Sequence, residues 1–168
     1  MGSVNRIVHG FAELWIDSVD VGYTSEGVTE SVDREYFDQE VEQIKGAIKS
    51  EMISETKTIS CTLAEVSLNR LNQIWDQEGS KLVGGTFLAI GTEGGANEHT
   101  LTIVAPAPAD TGFTYMNVHI FKAISMEAGE VIYSRSEPTR IPVSFKCLKD
   151  VSNGNQFGYI SLSNTKGA

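Results

Sequence analysis

Hydrophobic and polar residues alternate along most of this chain with the period of two that is typical of β-strands covered on one face. The first such segment is residues 11–19, in which Leu14 and Ile16 share one face while Glu13 and Asp17 share the other. Beyond residue 84 the alternation returns between turns rich in Gly, Pro and Asn. The strands predicted there are residues 86–90, 99–105, 113–123, 131–133, 139–148 and 157–162.

The part of the chain before those strands predicts a loop and then a long β-hairpin. Residues 18–33 carry Gly, Ser, Thr and acids without any period, which indicates a loop that contacts a neighbouring subunit. Residues 37–44 and 48–63 predict the two hairpin strands, with Lys45-Gly46-Ala47 as the turn. Because the middle of the second strand is too polar to be covered on both faces, we expect the hairpin to expose an unpaired edge.

One helix is predicted over residues 63–77. Thr62 and Glu65 have the spacing of a capping box, an apolar stripe follows that includes Trp75, and Gly79 is the expected stop. Since the chain offers few helical crossovers, its strands are expected to be mostly antiparallel. The pattern therefore predicts a mainly β fold, a barrel or a sandwich, with one helix packed against a sheet.

Composition indicates one domain that folds without covalent or metal support. The 168 residues are 40% hydrophobic, so residues 1–168 are expected to form a single domain with a sizeable core. Cys61 and Cys147 lie in alternating apolar runs, where reduced, buried thiols are expected. A disulfide between them, or one joining neighbouring subunits, stays open because sequence gives no distances.

Charge argues against nucleic-acid binding. The net charge is −9, and residues 13–42 hold ten carboxylates against the single base Arg34. Such a surface lacks the basic stripe of a DNA or RNA binder, and it favours either simple solubility or a wall that DNA passes without binding. No apolar run approaches the roughly 20 residues of a membrane span. We therefore expect no membrane anchor, and the start of the chain lacks a signal-peptide pattern.

Chemical motifs are largely missing from the sequence. Residues 91–95 are Gly-rich but lack the Lys-Ser/Thr of a phosphate loop, and His9, His99 and His119 stand far apart with no zinc-type spacing. No Gly-x-Ser-x-Gly elbow occurs. We expect no cofactor and no metal site, and an enzyme is disfavoured.

The order of several weak motifs resembles the phage tail tube protein family, to which the type VI secretion tube protein is related. The resemblance rests on the Gly- and acid-rich residues 22–29, the hairpin at 37–63, and Thr62-Leu63-Ala64-Glu65 with the Leu residues that follow. It also includes residues 140–146, which precede a Gly turn and Phe157. Together these motifs touch most of the chain.

The resemblance implies a structural virion protein with an antiparallel, β-barrel-like sandwich, one flanking α-helix and a long protruding hairpin. Six copies would join in a hexameric ring, and stacked rings would form a tail tube whose acidic lumen conducts genomic DNA during ejection. Implied partners are further copies of the chain, a tape-measure protein that sets tail length, and a sheath if the tail contracts. The implied location is the virion tail, assembled in the host cytoplasm. A contractile and a flexible tail both remain open.

The resemblance also assigns residues. Glu40 and Glu42 are the lumen candidates, because they share one face of the first predicted hairpin strand. The loop at 22–38 would join subunits, and the hairpin around 45–55 would contact the adjacent ring. The contact candidates are Gly22, Tyr23, Gly27, Lys45, Lys49, Glu51, Met52 and Glu55.

A second class of function fits the same composition. A monomeric β-sandwich that binds carbohydrate would also be acidic and poor in helices, with Trp15, Tyr23 or Tyr115 as the stacking platform. It predicts a stable monomer that binds glycans, whereas a tube protein predicts self-assembly and no small ligand.

Overall fold

The computed structural model describes residues 10–42, 44–65, 67–75, 82–91, 96–128 and 139–167. Ten strands and one α-helix lie in these residues, in addition to two short 3-10 turns. The strands are β1 (Glu13–Ile16), β2 (Val19–Asp20), β3 (Thr24–Val41), β4 (Ile44–Leu63), β5 (Leu82–Val83), β6 (Phe87–Leu88), β7 (His99–Pro106), β8 (Tyr115–Ala128), β9 (Ile141–Leu148) and β10 (Gly158–Ser163). The helix is α1 (Leu68–Ile74).

Eight of the strands form one antiparallel sheet. Its order is β2-β1-β7-β8-β9-β4-β3, and β10 pairs with β8 outside this path. β7 pairs along one edge of β8. Along the other edge of β8, β10 pairs with residues 115–120 and β9 pairs with residues 122–128. β5 and β6 form a separate two-stranded ladder. The predicted mainly β, antiparallel fold with one helix and a long hairpin is confirmed.

The core lies against one face of the large sheet. Alternate residues of β1, β4, β7, β8 and β9 face it, and the largest fully buried side chain is Phe145. Helix α1 covers part of this face with Leu71 and Ile74, and its last turn is tied to β8 because Ser125 Oγ donates to the Ile74 carbonyl at 2.6 Å. Cys61 and Cys147 are both free and buried in this cluster, as the pattern predicted.

The predicted start of the helix is wrong. Thr62 and Leu63 belong to β4, where Thr62 pairs with Pro142 of β9, and the helix begins only at Leu68. Its N-cap is Ser67, whose Oγ accepts from the Arg70 amide at 3.3 Å. A capping-box spacing is a local signal, and here the pairing of β4 with β9 overrides it.

The predicted loop and hairpin turn are also wrong. Most of residues 18–33 belongs to β2 and β3, and the chain reverses after Val41, at Glu42, rather than at residues 45–47. Gly46 lies inside β4 with φ 109°, where the pairing slips between Glu40↔Ala47 and Val41↔Ile44. This Gly therefore serves an irregularity in the ladder. The predicted strand at 131–133 lies outside the described residues.

Candidate assembly surfaces

The long hairpin extends beyond the body of the sheet. β4 pairs with β9 only from Lys57 to Leu63, whereas its pairing with β3 continues from Asp33↔Thr56 to Val41↔Ile44. Residues 33–41 and 44–56 therefore form a two-stranded ribbon, which is called the arm below. An isolated two-stranded ribbon is at best marginally stable in water.

Large apolar side chains are exposed on both faces of the arm. Tyr36 is paired with Met52 on the face that continues the core face of the body, while Phe37 is paired with Glu51 on the opposite face. A bulge between Glu35 and Tyr36 leaves an additional residue on β4 at this level. The exposed apolar residues of the arm are Tyr36, Phe37, Ile48, Met52 and Ile53, each between 49% and 61% exposed.

The face that carries the core in the body becomes charged where the arm begins. Glu55 accepts from Arg34 Nε at 2.8 Å and lies 3.3 Å from Lys149 Nζ, and Lys57 pairs with Glu30 beside them. These five residues are called the arm root below. The hydrogen bond from Arg34, and then that from Lys149, lowers the pKa of the Glu55 carboxyl. The pKa of Arg34 is raised by the same hydrogen bond.

The predicted contact residues do not lie together, and five of them belong to the arm or to its root. Lys45, Lys49, Glu51 and Met52 lie on the arm, where Lys49 and Glu51 pair with each other. Glu55 lies at the arm root, where its side chain is only 17% exposed.

Gly22 and Tyr23 precede β3, at the far end of the hairpin from the tip. Tyr23 and Phe11 are 77% and 78% exposed and line one groove of about 710 Å³ with Glu65. Gly22 has φ 86°, donates its amide to Asp20 at 2.9 Å, and has no room for a Cβ beside the Glu65 carboxylate. The predicted contact residues include Gly22 and Tyr23 but not Phe11, which lines the same groove.

Gly27 lies within β3, where the pairing with β4 shifts between Thr24 and Val28. Its φ of 78° is the left-handed backbone that such a bulge requires.

The sheet face opposite the core is rich in hydroxyl groups over β3, β4 and β9. Thr29 is paired with Ser60, which is paired with Ser144, and Thr58 is paired with Ser31 one level further along. This surface is called the outer face below. Its charged groups include Glu26, which lies 4.0 Å from Arg140.

The two lumen candidates lie at the tip of the arm. Glu40 is near the end of β3 and Glu42 is in the reversal that follows it, and both are exposed. They are therefore not two residues of one strand face, as the sequence predicted, because the strand ends between them.

Aromatic residues of the outer face meet on β8 and β10. Tyr159 stacks on His119 with ring centroids 4.6 Å apart. Trp15 is partly buried on β1 and Tyr115 lies under Lys166, with the ammonium 5.8 Å from the ring. Of the three alternative platform residues Trp15, Tyr23 and Tyr115, Tyr23 is the most exposed, and it lies in the groove with Glu65.

The part of the chain that the structure describes lacks two kinds of feature. It contains no group of three or more His, Cys, Asp or Glu residues that could hold a metal ion. Nor does it contain a helix of the length and apolar character needed to cross a bilayer.

Comparison with known proteins gives a structural likeness without a sequence likeness. No protein-family model matches the chain, and no curated protein matches its sequence. A chain in the cryo-EM structure of the anti-feeding prophage cap, a tube-terminating cap, superposes with a TM-score of 0.59 at 7% identity, covering 94% of each chain. A chain of an extracellular contractile injection system, in the extended PVC sheath-tube complex, gives 0.50 at 8% identity and covers 90% of this chain and 88% of its own. The fold is thus one found in components of contractile injection systems.

Proposed function

We propose that this chain is a structural subunit of a tail-like tube, in which copies join as hexameric rings and the rings stack. The observation that carries the proposal is the shared fold over 94% of the chain with a tube-terminating cap. The arm adds independent support. It exposes apolar side chains, and within the described residues its two strands pair only with each other.

The arm supplies the contact between rings in this proposal. An exposed ribbon with five apolar side chains gains stability when a second copy covers it, at roughly 25 cal/mol for each Å² of apolar area buried. Lys45 and Lys49 lie among these residues and give the contact a polar rim.

Edge pairing supplies the contact within a ring. β3 is the terminal strand of the sheet, so among the described residues its outer side carries unpaired backbone groups over 18 residues. A neighbouring copy that pairs there would satisfy those groups. The groove with Phe11 and Tyr23 lies at the start of β3 and would be covered by the same neighbour.

The outer face is the proposed lumen wall. This face carries Ser and Thr hydroxyl groups and few cations, so it does not bind phosphate tightly. Hydroxyl groups are uncharged and do not repel a molecule that contacts the sheet, so DNA could move along this face. Glu40 and Glu42 remain lumen candidates only if the arm tip lies along the bore, where their carboxylates would repel phosphate. DNA passage, a tape-measure protein, a sheath and a virion location all belong to this proposal.

Concentration-dependent assembly tests the function. Sedimentation velocity of the purified chain should show rings or longer polymers that grow with concentration. Met52→Ser should reduce them, since it removes an exposed apolar side chain of the arm. Val151→Ser is the matched control, because Val151 is 80% exposed on the body and its loss should leave assembly unchanged. A monomer at every concentration would refute the proposal and favour the alternative, a monomeric domain that binds glycans.

A further inference from the structure

One carboxylate joins the arm to the body. The pairing of β4 with β9 ends at Lys57↔Cys147. From there toward the arm tip, the backbone of β4 is paired only with β3 in the described residues. Glu55 is the next residue of the same face, and its two oxygens contact cations from different elements. Oε1 accepts from Arg34 on β3, and Oε2 lies 3.3 Å from Lys149, which follows β9.

Lys149 is itself held by the body. Its ammonium lies 5.2 Å from the centre of the Phe157 ring, a cation–π geometry. A continuous chain of contacts therefore runs from Phe157 through Lys149 and Glu55 to Arg34. Among the ion pairs of the described residues, Glu55 with Lys149 is the one that links the arm to an element outside the hairpin.

We propose that Glu55 is the positioning residue of the arm, which holds the arm in one direction relative to the body by joining Arg34 to Lys149. A two-stranded ribbon with bulges can bend at its base, and a charge shared between two elements restricts that bending. The second half of this inference rests on the proposed function: a fixed direction of the arm lowers the entropic cost of docking the arm on the next ring. Glu55 carries this role through its partners and is not itself the contact surface.

The direction of the arm can be measured without assembly. Spin labels at Ser50→Cys on the arm and Asn69→Cys on α1 give a distance distribution by double electron–electron resonance, while Cys61 and Cys147 stay buried and unlabelled. With Glu55 intact we expect one narrow distribution. Glu55→Gln should broaden it, and Lys149→Ala should broaden it in the same way.

The control is Glu51→Gln. It removes the same charge from an ion pair that lies wholly within the arm, so it should leave the distribution narrow. Thermal melting by circular dichroism should show all three variants folded, because the core is untouched. A distribution that is equally broad with and without Glu55, or equally narrow in all variants, would overturn the positioning role.

Assembly tests the second half separately. Because the pairs are partly exposed, Glu55→Gln should raise the concentration needed for assembly by about two- to fivefold, in line with exposed ion pairs. Glu98→Gln, which removes the same charge from an ion pair with Lys122 on the body, should not. Broadening without any change in assembly would overturn the link to docking. An unmodified chain with a narrow distribution that never assembles would refute the tube function while leaving the positioning role intact.

Discussion

The proposed division of the molecule into a stable body and an arm that mediates assembly predicts opposite results for two Phe→Ala substitutions. Phe145 on β9 is fully buried, whereas Phe37 on the arm is 55% exposed. Both changes remove the same atoms from a strand. Phe145→Ala leaves a cavity in the packed core and should cost about 3–5 kcal/mol of unfolding free energy. Phe37→Ala should stay within about 0.5 kcal/mol.

Thermal and urea unfolding of the two variants give the assay. For a chain of this size each kcal/mol lowers the melting temperature by about 2–4 °C, so Phe145→Ala should melt about 6–20 °C lower and Phe37→Ala within about 2 °C of the unmodified chain. Measurements belong at low concentration, where self-association adds no stability. Phe37→Ala should assemble less well despite its normal melting. Equal losses of stability in both variants would refute the division of body and arm.

Three further predictions concern local structure. Gly22→Ala forces a side chain onto a backbone at φ 86° with a carboxylate oxygen 2.5 Å from the new Cβ, so urea unfolding should show a loss of about 1–3 kcal/mol; an unchanged midpoint would contradict that geometry. Ser67→Ala should cost about 0.5–2 kcal/mol by removing the N-cap, whereas Thr62→Ala should cost little, and the reverse order would restore the capping-box interpretation. Burial raises the pKa of Cys61 to about 12 and of Cys147 to about 11, so iodoacetamide at pH 8 should label neither thiol until the chain unfolds, and rapid labelling of the folded chain would rule out buried thiols.

Strands with one covered face could be predicted from the sequence. The alternation that ends at Ile59, Cys61 and Leu63 has all three side chains in the core, and Leu14 and Ile16 are buried as expected. These strands follow the period because solvent and core impose different side chains on the two faces. The fold class followed from them.

The edge strand could not be predicted in the same way. β3 is exposed along most of its length, so neither face requires apolar residues and residues 18–33 show no period. Likewise Gly46, which is typical of a turn, serves an irregularity near the arm tip. The helix start was missed because Thr62 is held in β4 by its partner on β9, and pairing over that distance leaves no local signal.

The ion pairs of the arm root could not be predicted from the sequence for the same reason. The sequence predicts Glu55 as a contact residue because it lies in the predicted hairpin. Its partners Arg34 and Lys149 come from β3 and from the segment after β9, and only the registers of two ladders bring them together. These partners cover its carboxylate, and the side chain is only 17% exposed.

If the chain forms a tube, electron microscopy of the purified chain at high concentration should show rings with a central hole and stacks of such rings. A chain lacking the arm should form no stacks. Single particles of monomer size at every concentration, with or without the arm, would contradict the tube proposal.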